Sequence, residues 1–196
     1  MELLIYIMMI ASSVIGLTFI LERALVLRWR RIIPPDVESA AQNSHSAADV
    51  ETVRRVCQKR HSPLSRLLLM ACDQLEWPKA ENVDALQTQA RHEIVHLERG
   101  LVVLEILVGI APLLGLVGTI YGMMRLFGEL GQTGITDATR LAQGIGMILH
   151  TTMMGLLIAI PSLVFWSYYT KRVEVLATEM ERICGEFIRR QYMGRD

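Results

Sequence analysis

Three side chains inside the apolar parts of this chain can handle an ion or a proton. Thr119 and Thr152 bring hydroxyls, and His150 brings an imidazole. Two threonines facing one another can hand a hydrogen bond or a water molecule to an ion. The competing use of each hydroxyl is a bond back to the carbonyl one turn earlier, the common fate of Thr in a membrane helix. His150 is the one ionisable residue of its apolar run, and such residues are functional candidates by default. A neutral imidazole is also far cheaper to bury than a carboxylate, so a structural hydrogen bond is its other reading. Pro112 frees a carbonyl near Val108, which makes either a simple kink or an acceptor facing an ion in a wet bundle interior. Glu105 and Arg125 stand near the two ends of their run and read first as boundary markers that snorkel to an interface.

The small residues around these groups fall on helix faces. Ala111, Gly115, Gly118, Thr119 and Gly122 lie on one side of a helix, a pattern that allows close backbone approach. In the later run Gly144, Ile148, Thr152, Gly155 and Ala159 share one face. Met147, His150, Thr151, Met154, Ile158 and Pro161 share the neighbouring one. A plain helix–helix contact explains the glycines without any further role.

Such faces need helices that cross a lipid core, and the composition supplies them. Of the 196 residues 52% are hydrophobic, the mean hydropathy is +0.33 and the net charge is zero. Leu3–Leu21 and Leu141–Thr170 carry no charge, and Leu101–Phe127 carries only Glu105 and Arg125. A hydrocarbon core of about 30 Å needs roughly 20 apolar helical residues, and each run suffices. A soluble globule is excluded on this ground. A nucleic-acid binder is excluded by the lack of net basic charge to meet phosphate. Cys57, Cys72 and Cys184 have no metal-ligand spacing, so neither a zinc site nor a disulfide framework is expected. No cofactor is implied. The polar intramembrane residues do not assemble a nucleophile–base pair or a phosphate loop, so an enzyme is not expected.

Cationic residues at membrane ends stay in the cytoplasm. Arg23, Arg28, Arg30 and Arg31 follow the first run, Lys171 and Arg172 follow the third, and the N-terminus offers no Lys or Arg. The expected class is therefore an all-α membrane protein with three spans, its N-terminus outside and its C-terminus cytoplasmic. The segments are a first transmembrane helix over 1–27, a cytoplasmic helical region over 28–100 and a second span over 101–127. A periplasmic loop over 128–139, a third span over 140–170 and a cytoplasmic helical tail over 171–196 follow. The first run lacks a basic n-region and a small-residue cleavage site, so it reads as a retained helix. Pro34-Pro35 ends it. Asp49 caps a helix reaching Arg60, Ser62-Pro63 starts one over Leu64–Leu75, and Trp77-Pro78 breaks that. From about Asn82 the pattern stays helical to Phe127. In the tail Val173, Leu176, Met180, Ile183 and Phe187 form an apolar stripe. Long helices extending into a cytoplasmic helical collar complete the expected fold.

Two of these stretches also resemble a known family. Ala111-Pro-Leu-Leu-Gly-Leu-Val-Gly-Thr-Ile-Tyr-Gly122 resembles the second-helix signature of the MotA/TolQ/ExbB proton-channel family. Gly144-Ile, Thr152, Gly155-Leu and Ala159-Ile-Pro161 resemble its third-helix signature, and Glu22-Arg23 and Leu97-Glu98-Arg99-Gly100 fit as well. The likeness is to the ExbB/TolQ branch and runs through nearly the whole chain. It implies a homo-oligomeric ring, a pentamer, in the bacterial inner membrane and in contact with membrane lipid. The ring surrounds an ExbD/TolR-like single-span partner whose helix carries an aspartate. It implies that proton flow drives rotation or force on that partner to energise an envelope process. Thr119 and Thr152 would be the pore-facing threonines, and Pro112 and Pro161 would shape the helices. The branch commonly has Glu in a Gly-Ile-x-Glu pattern of the third span, where this chain has Met147. That departure leaves Thr119, Thr152 and His150 for the path. It also keeps open a second reading, a non-conducting membrane scaffold that anchors an envelope partner.

Overall fold

A computed structural model describes residues 2–44, 47–133 and 138–193. All regular structure among the described residues is helical. The helices are α1 (Glu2–Val26), α2 (Trp29–Ile32), α3 (Pro35–Gln42), α4 (Ala47–Lys59), α5 (Pro63–Asp73), α6 (Lys79–Glu98), α7 (Leu101–Thr133) and α8 (Ala138–Met193). Helices α1, α7 and α8 are long and apolar enough to cross a membrane. The chain divides into two compact units. One holds residues 1–23 and 100–168, and the other holds residues 24–99 and 169–196.

In the first unit α1, α7 and α8 bury few of their apolar residues against one another. Leu17, Leu113, Val117, Met124, Leu157 and Val164 are all more than half exposed. Water would not tolerate that much bare aliphatic surface on a monomer, whereas lipid or another subunit covers it at no cost. Residues 134–137, inside the expected loop over 128–139, lie outside the described residues; α7 continues to Thr133 and α8 begins at Ala138.

The second unit follows the rules of a water-facing core. Ser62 caps α5, its Oγ accepting from the Ser65 N–H at 3.1 Å, with Pro63 at the first helical position. Leu64, Leu67, Leu68 and Ala71 of α5 are fully buried. The C-terminal part of α8 buries Val173, Leu176, Met180, Ile183 and Phe187, the whole stripe. Three polar contacts fix its end. Gln191 Nε2 donates to Ser44 Oγ at 2.9 Å, Arg190 donates to the Gln42 carbonyl, and Tyr192 Oη donates to the Trp77 carbonyl at 2.7 Å. Asn82, wholly buried, donates through Nδ2 to the Ala71 and Gln74 carbonyls at 3.1 and 3.0 Å. Both carbonyls lie where α5 ends and helical donors run out, and the Gln74 carbonyl also accepts from the Trp77 N–H at 3.1 Å.

Several boundaries differ from the sequence reading. The first helix ends at Val26, well before the prolines, and Pro34 and Pro35 instead start α3. Pro is readily accepted at the first turn of a helix because its missing N–H is not needed there. Asp49 lies within the first turn of α4 rather than capping it. Helix α6 starts at Lys79, directly after Pro78. The helix expected to run from Asn82 to Phe127 is interrupted at Arg99-Gly100. The guanidinium of Arg23, a buried residue paired with Glu22 at 2.9 Å, occupies the space that a Cβ at Gly100 would need. Glycine, the weakest helix former after proline, is what permits that contact.

All three cysteines are free and buried. Burial pushes the Cys57 thiol up to about 11 and the Cys72 thiol to about 12, and raises Cys184 as well. Thiols of this kind are inert packing groups. The side chain of Glu93 is nearly enclosed, and Arg66 grips both its carboxylate oxygens. Removing the arginine strands a buried carboxylate. Arg66→Ala should destabilise the protein by about 2 kcal/mol, under the roughly 3–5 kcal/mol of a fully buried pair because Arg66 is half exposed. Thermal unfolding of the purified variant in mild detergent measures it.

Candidate ion-pathway site

Every residue singled out for chemistry lies on α7 or α8, and one contact sets their positions. The two helices run antiparallel and approach through glycine. A Cβ at Gly155 would lie 2.6 Å from the Ala111 carbonyl oxygen and 3.2 Å from the Gly115 Cα. A Cβ at Gly115 would lie 3.0 Å from the Thr151 carbonyl oxygen and from the Thr152 Cα. Gly118 faces the Thr151 side chain, Gly122 faces Ile148, and Gly144 faces Leu126. Ala111 and Ala159 are buried on the same faces. Ala111, Gly115, Gly118 and Gly122 thus stand in one ladder with Gly144, Gly155 and their neighbours on α8.

The hydroxyls follow from this ladder. Thr152 is half-buried, and its Oγ1 donates to the Gly115 carbonyl over a long 3.5 Å. Thr119, one turn beyond Gly115, is half-buried too and donates back to the Leu116 carbonyl at 2.7 Å. The local alternative for its hydroxyl is therefore realised within this chain. Thr152 has no such back-bond and reaches across to α7. Pro112 is half-buried within α7, and Pro161 is exposed within α8.

Thr151 was placed on the Met147–His150 face by sequence, and the structure moves it. It is 7% exposed, donates to the Ile148 carbonyl at 2.7 Å and approaches the Gly115 carbonyl at 3.4 Å. The sign of this was its place four residues before Gly155, which puts it one turn away on the packed stripe. His150 is exposed, and Met147 is 71% exposed. His150 and Thr152 are two residues apart, so they point to nearly opposite sides of α8. Glu105 is exposed on α7. Among the described residues no group of His, Cys, Asp or Glu is placed to hold a metal ion.

Sequence reasoning also missed Gly16. A Cβ there would meet Leu107 Cδ1 at 3.2 Å and Ser162 Oγ at 3.4 Å. Helix α1 therefore packs on the Leu107 side of α7. The single glycine of α1 was the available signal.

Comparison with known proteins agrees with the motifs on these helices. The family model described as the MotA/TolQ/ExbB proton channel family matches residues 40–182. A biopolymer transport protein ExbB homologue of Methanothermobacter thermautotrophicus is 30% identical over 175 residues, 88% of this chain and 62% of its own length. A biopolymer transport protein of the ExbB-like kind from Synechocystis is 32% identical over 154 residues, 76% of this chain and 59% of its own. The biopolymer transport protein ExbB of Aquifex aeolicus is 28% identical over 108 residues, 55% of this chain and 72% of its own. The chain thus spans about three fifths of the length of the first two relatives.

The ladder has a mutational signature. Gly155→Ala forces a methyl against backbone that has nowhere to go and should cost about 1–3 kcal/mol. Gly185→Ala, on an open face of the same helix, should stabilise by about 0.5–1 kcal/mol through better helix propensity. Opposite shifts of the melting temperature in one detergent are the expected outcome.

Proposed function

The chain belongs to the MotA/TolQ/ExbB proton channel family, and on that premise we propose that it is the ring subunit of a proton-driven inner-membrane motor. In this reading five copies surround the spans of an ExbD/TolR-like partner, whose aspartate takes and releases the proton. Flow through the ring turns into rotation or force on that partner and energises an envelope process. The assigned role is transport rather than catalysis.

The observation that supports the reading best is the Gly115 contact within the matched region. It holds Thr152 against the α7 backbone one turn from Thr119, and the two prolines that interrupt the helical hydrogen bonding, Pro112 and Pro161, both lie to one side of it along the helix pair. A carboxylate entering a poorly hydrated site is costly unless it meets donors or becomes neutral. Neutral hydroxyls ease its passage without trapping it, as a fixed cation would. Pro112, Pro161 and His150 complete the proposed path, with His150 secondary because it points away from Thr152.

One observation favours the alternative, a non-conducting scaffold. Met147 stands where the branch commonly has Glu, so the usual carboxylate of this subunit is missing from the third span.

In the proposed topology the N-terminus is periplasmic, the α3–α6 region and the end of α8 are cytoplasmic, and the α7–α8 connection is periplasmic. The natural cysteines cannot report it, since burial alone would silence them. A Cys at the exposed Lys79 can. Lys79→Cys should resist a membrane-impermeant thiol reagent in intact cells and react after lysis; labelling before lysis would invert the topology.

Thr152→Val keeps the shape and removes the hydroxyl. Proton flux in proteoliposomes with the co-purified partner should fall about tenfold, the worth of one lost hydrogen bond in the rate-limiting passage. The pentamer should persist in native mass spectrometry. Normal flux in Thr152→Val would reject the threonine path. Absent flux in the wild type with the partner bound would favour the scaffold.

A further inference from the structure

Glu105 is the single carboxylate within the three apolar runs; no other acid lies between Glu98 and Glu129 on α7, and the other two runs carry none. Its register on α7 is informative. Glu105, Pro112 and Thr119 are successive heptad positions. Each returns to within about 20° of the last, so the three line one face. At 1.5 Å per residue Glu105 stands about 10 Å from Pro112 and about 21 Å from Thr119 along the axis.

That face lies at the border of the packed one and the bare apolar one: Thr119 is about 40° from Gly115, and the exposed Leu116 is about 20° from Glu105. The packed ladder runs through Ala111, Gly115, Gly118 and Gly122. The exposed apolar stripe runs from Leu116, about 20° from Glu105, through Ile120, Leu113, Ile106 and Val117 to Ile110, about 140° from it. The side is clear of α1. Gly16 places α1 against Leu107, and Leu107, two residues on from Glu105, points nearly the opposite way. Among the described residues Glu105 is exposed, and Pro112 and Thr119 are half-buried.

We propose that Glu105 is the carboxylate this subunit contributes to the ion path, placed at the cytoplasmic mouth two heptads before Thr119. It accepts the proton that leaves the span and releases it to bulk water, returning to the carboxylate. This rests on the conducting reading above and adds to it a titrating group outside the third helix. Near the end of the span a carboxylate keeps its hydration between transfers, which is what makes it affordable there.

Two measurements on the complex with its partner test this. In proteoliposomes Glu105→Gln should lower proton flux about a hundredfold, the low end for a lost proton-transfer group, and Glu105→Asp should restore most of it. A purely structural or snorkelling role would be served by Gln, so normal flux in Glu105→Gln overturns the proposal. Independently, Glu105→Cys should be modified by a charged, water-soluble thiol reagent in the intact complex, read as a mass shift, because the face opens on water. Failure of that reagent while a lipid-soluble maleimide reacts would place residue 105 against lipid and also overturn it. If the wild type itself carries no flux, the conducting reading fails; if the wild type conducts and Glu105→Gln is normal, only the present inference fails.

Discussion

The backbone contact between Gly115 and Gly155 is the constraint from which the membrane unit follows. In lipid no hydrophobic force pulls two apolar helices together, so association depends on how closely their backbones can pack. A Cβ at Gly155 would already stand 2.6 Å from the Ala111 carbonyl. Larger residues are accordingly driven to the outer faces, where lipid or other subunits must meet them. The same contact brings the Thr151 and Thr152 hydroxyls to the Gly115 carbonyl and so fixes which sides of α7 and α8 carry polar groups. Turn either helix by one residue and the threonines face elsewhere.

A single helix, α8, obeys two solvents along its length. Before residue 169 its buried positions, Ile148 apart, are small or hydroxylated, namely Thr151, Gly155, Ala159 and Ser162, and large apolar residues such as Met147, Leu149, Leu157 and Val164 are exposed. After it the pattern inverts. Leu176, Met180, Ile183 and Phe187 are buried, while Lys171, Glu174 and Arg182 are exposed and form ion pairs along the helix. Where water is the surroundings, large apolar groups go inside because their removal from water is the driving force. Where lipid is the surroundings that force vanishes and fit alone decides.

This inversion explains what could be read from the sequence. The three apolar runs, the all-helical class and the α8 stripe were legible because each depends on a property summed over many residues. The start of α5 was legible because Ser62-Pro63 is a local chemical signal. The end of α1 was not: it stops at Val26 although the next strong breaker is Pro34, and α2 occupies the interval. The break at Arg99-Gly100 was hidden because it depends on Arg23, remote in sequence. Thr151 was misassigned because it sits near the border of two projected faces, and only the facing glycines decide which one is packed. The ladder positions from Ala111 to Ala159 could be listed from small-residue spacing, but their partners across the contact could not.

The distribution of charge has a physical logic of its own. A carboxylate deep in the span would repel the aspartate that the partner is proposed to bring there, since two carboxylates sharing a site cannot both ionise cheaply. Hydroxyls at mid-span avoid that repulsion, and they need no counter-ion when the path is empty. A carboxylate near the start of α7 is better placed to stay hydrated, and it stands about 21 Å along the axis from Thr119. At that separation, screening by water would weaken its effect on the proposed partner's group. Met147 in the third span and Glu105 in the second are then parts of one arrangement. On the proposal made for Glu105, the mid-span is left without a carboxylate and the one that titrates stands near the start of α7, where hydration can support its charge.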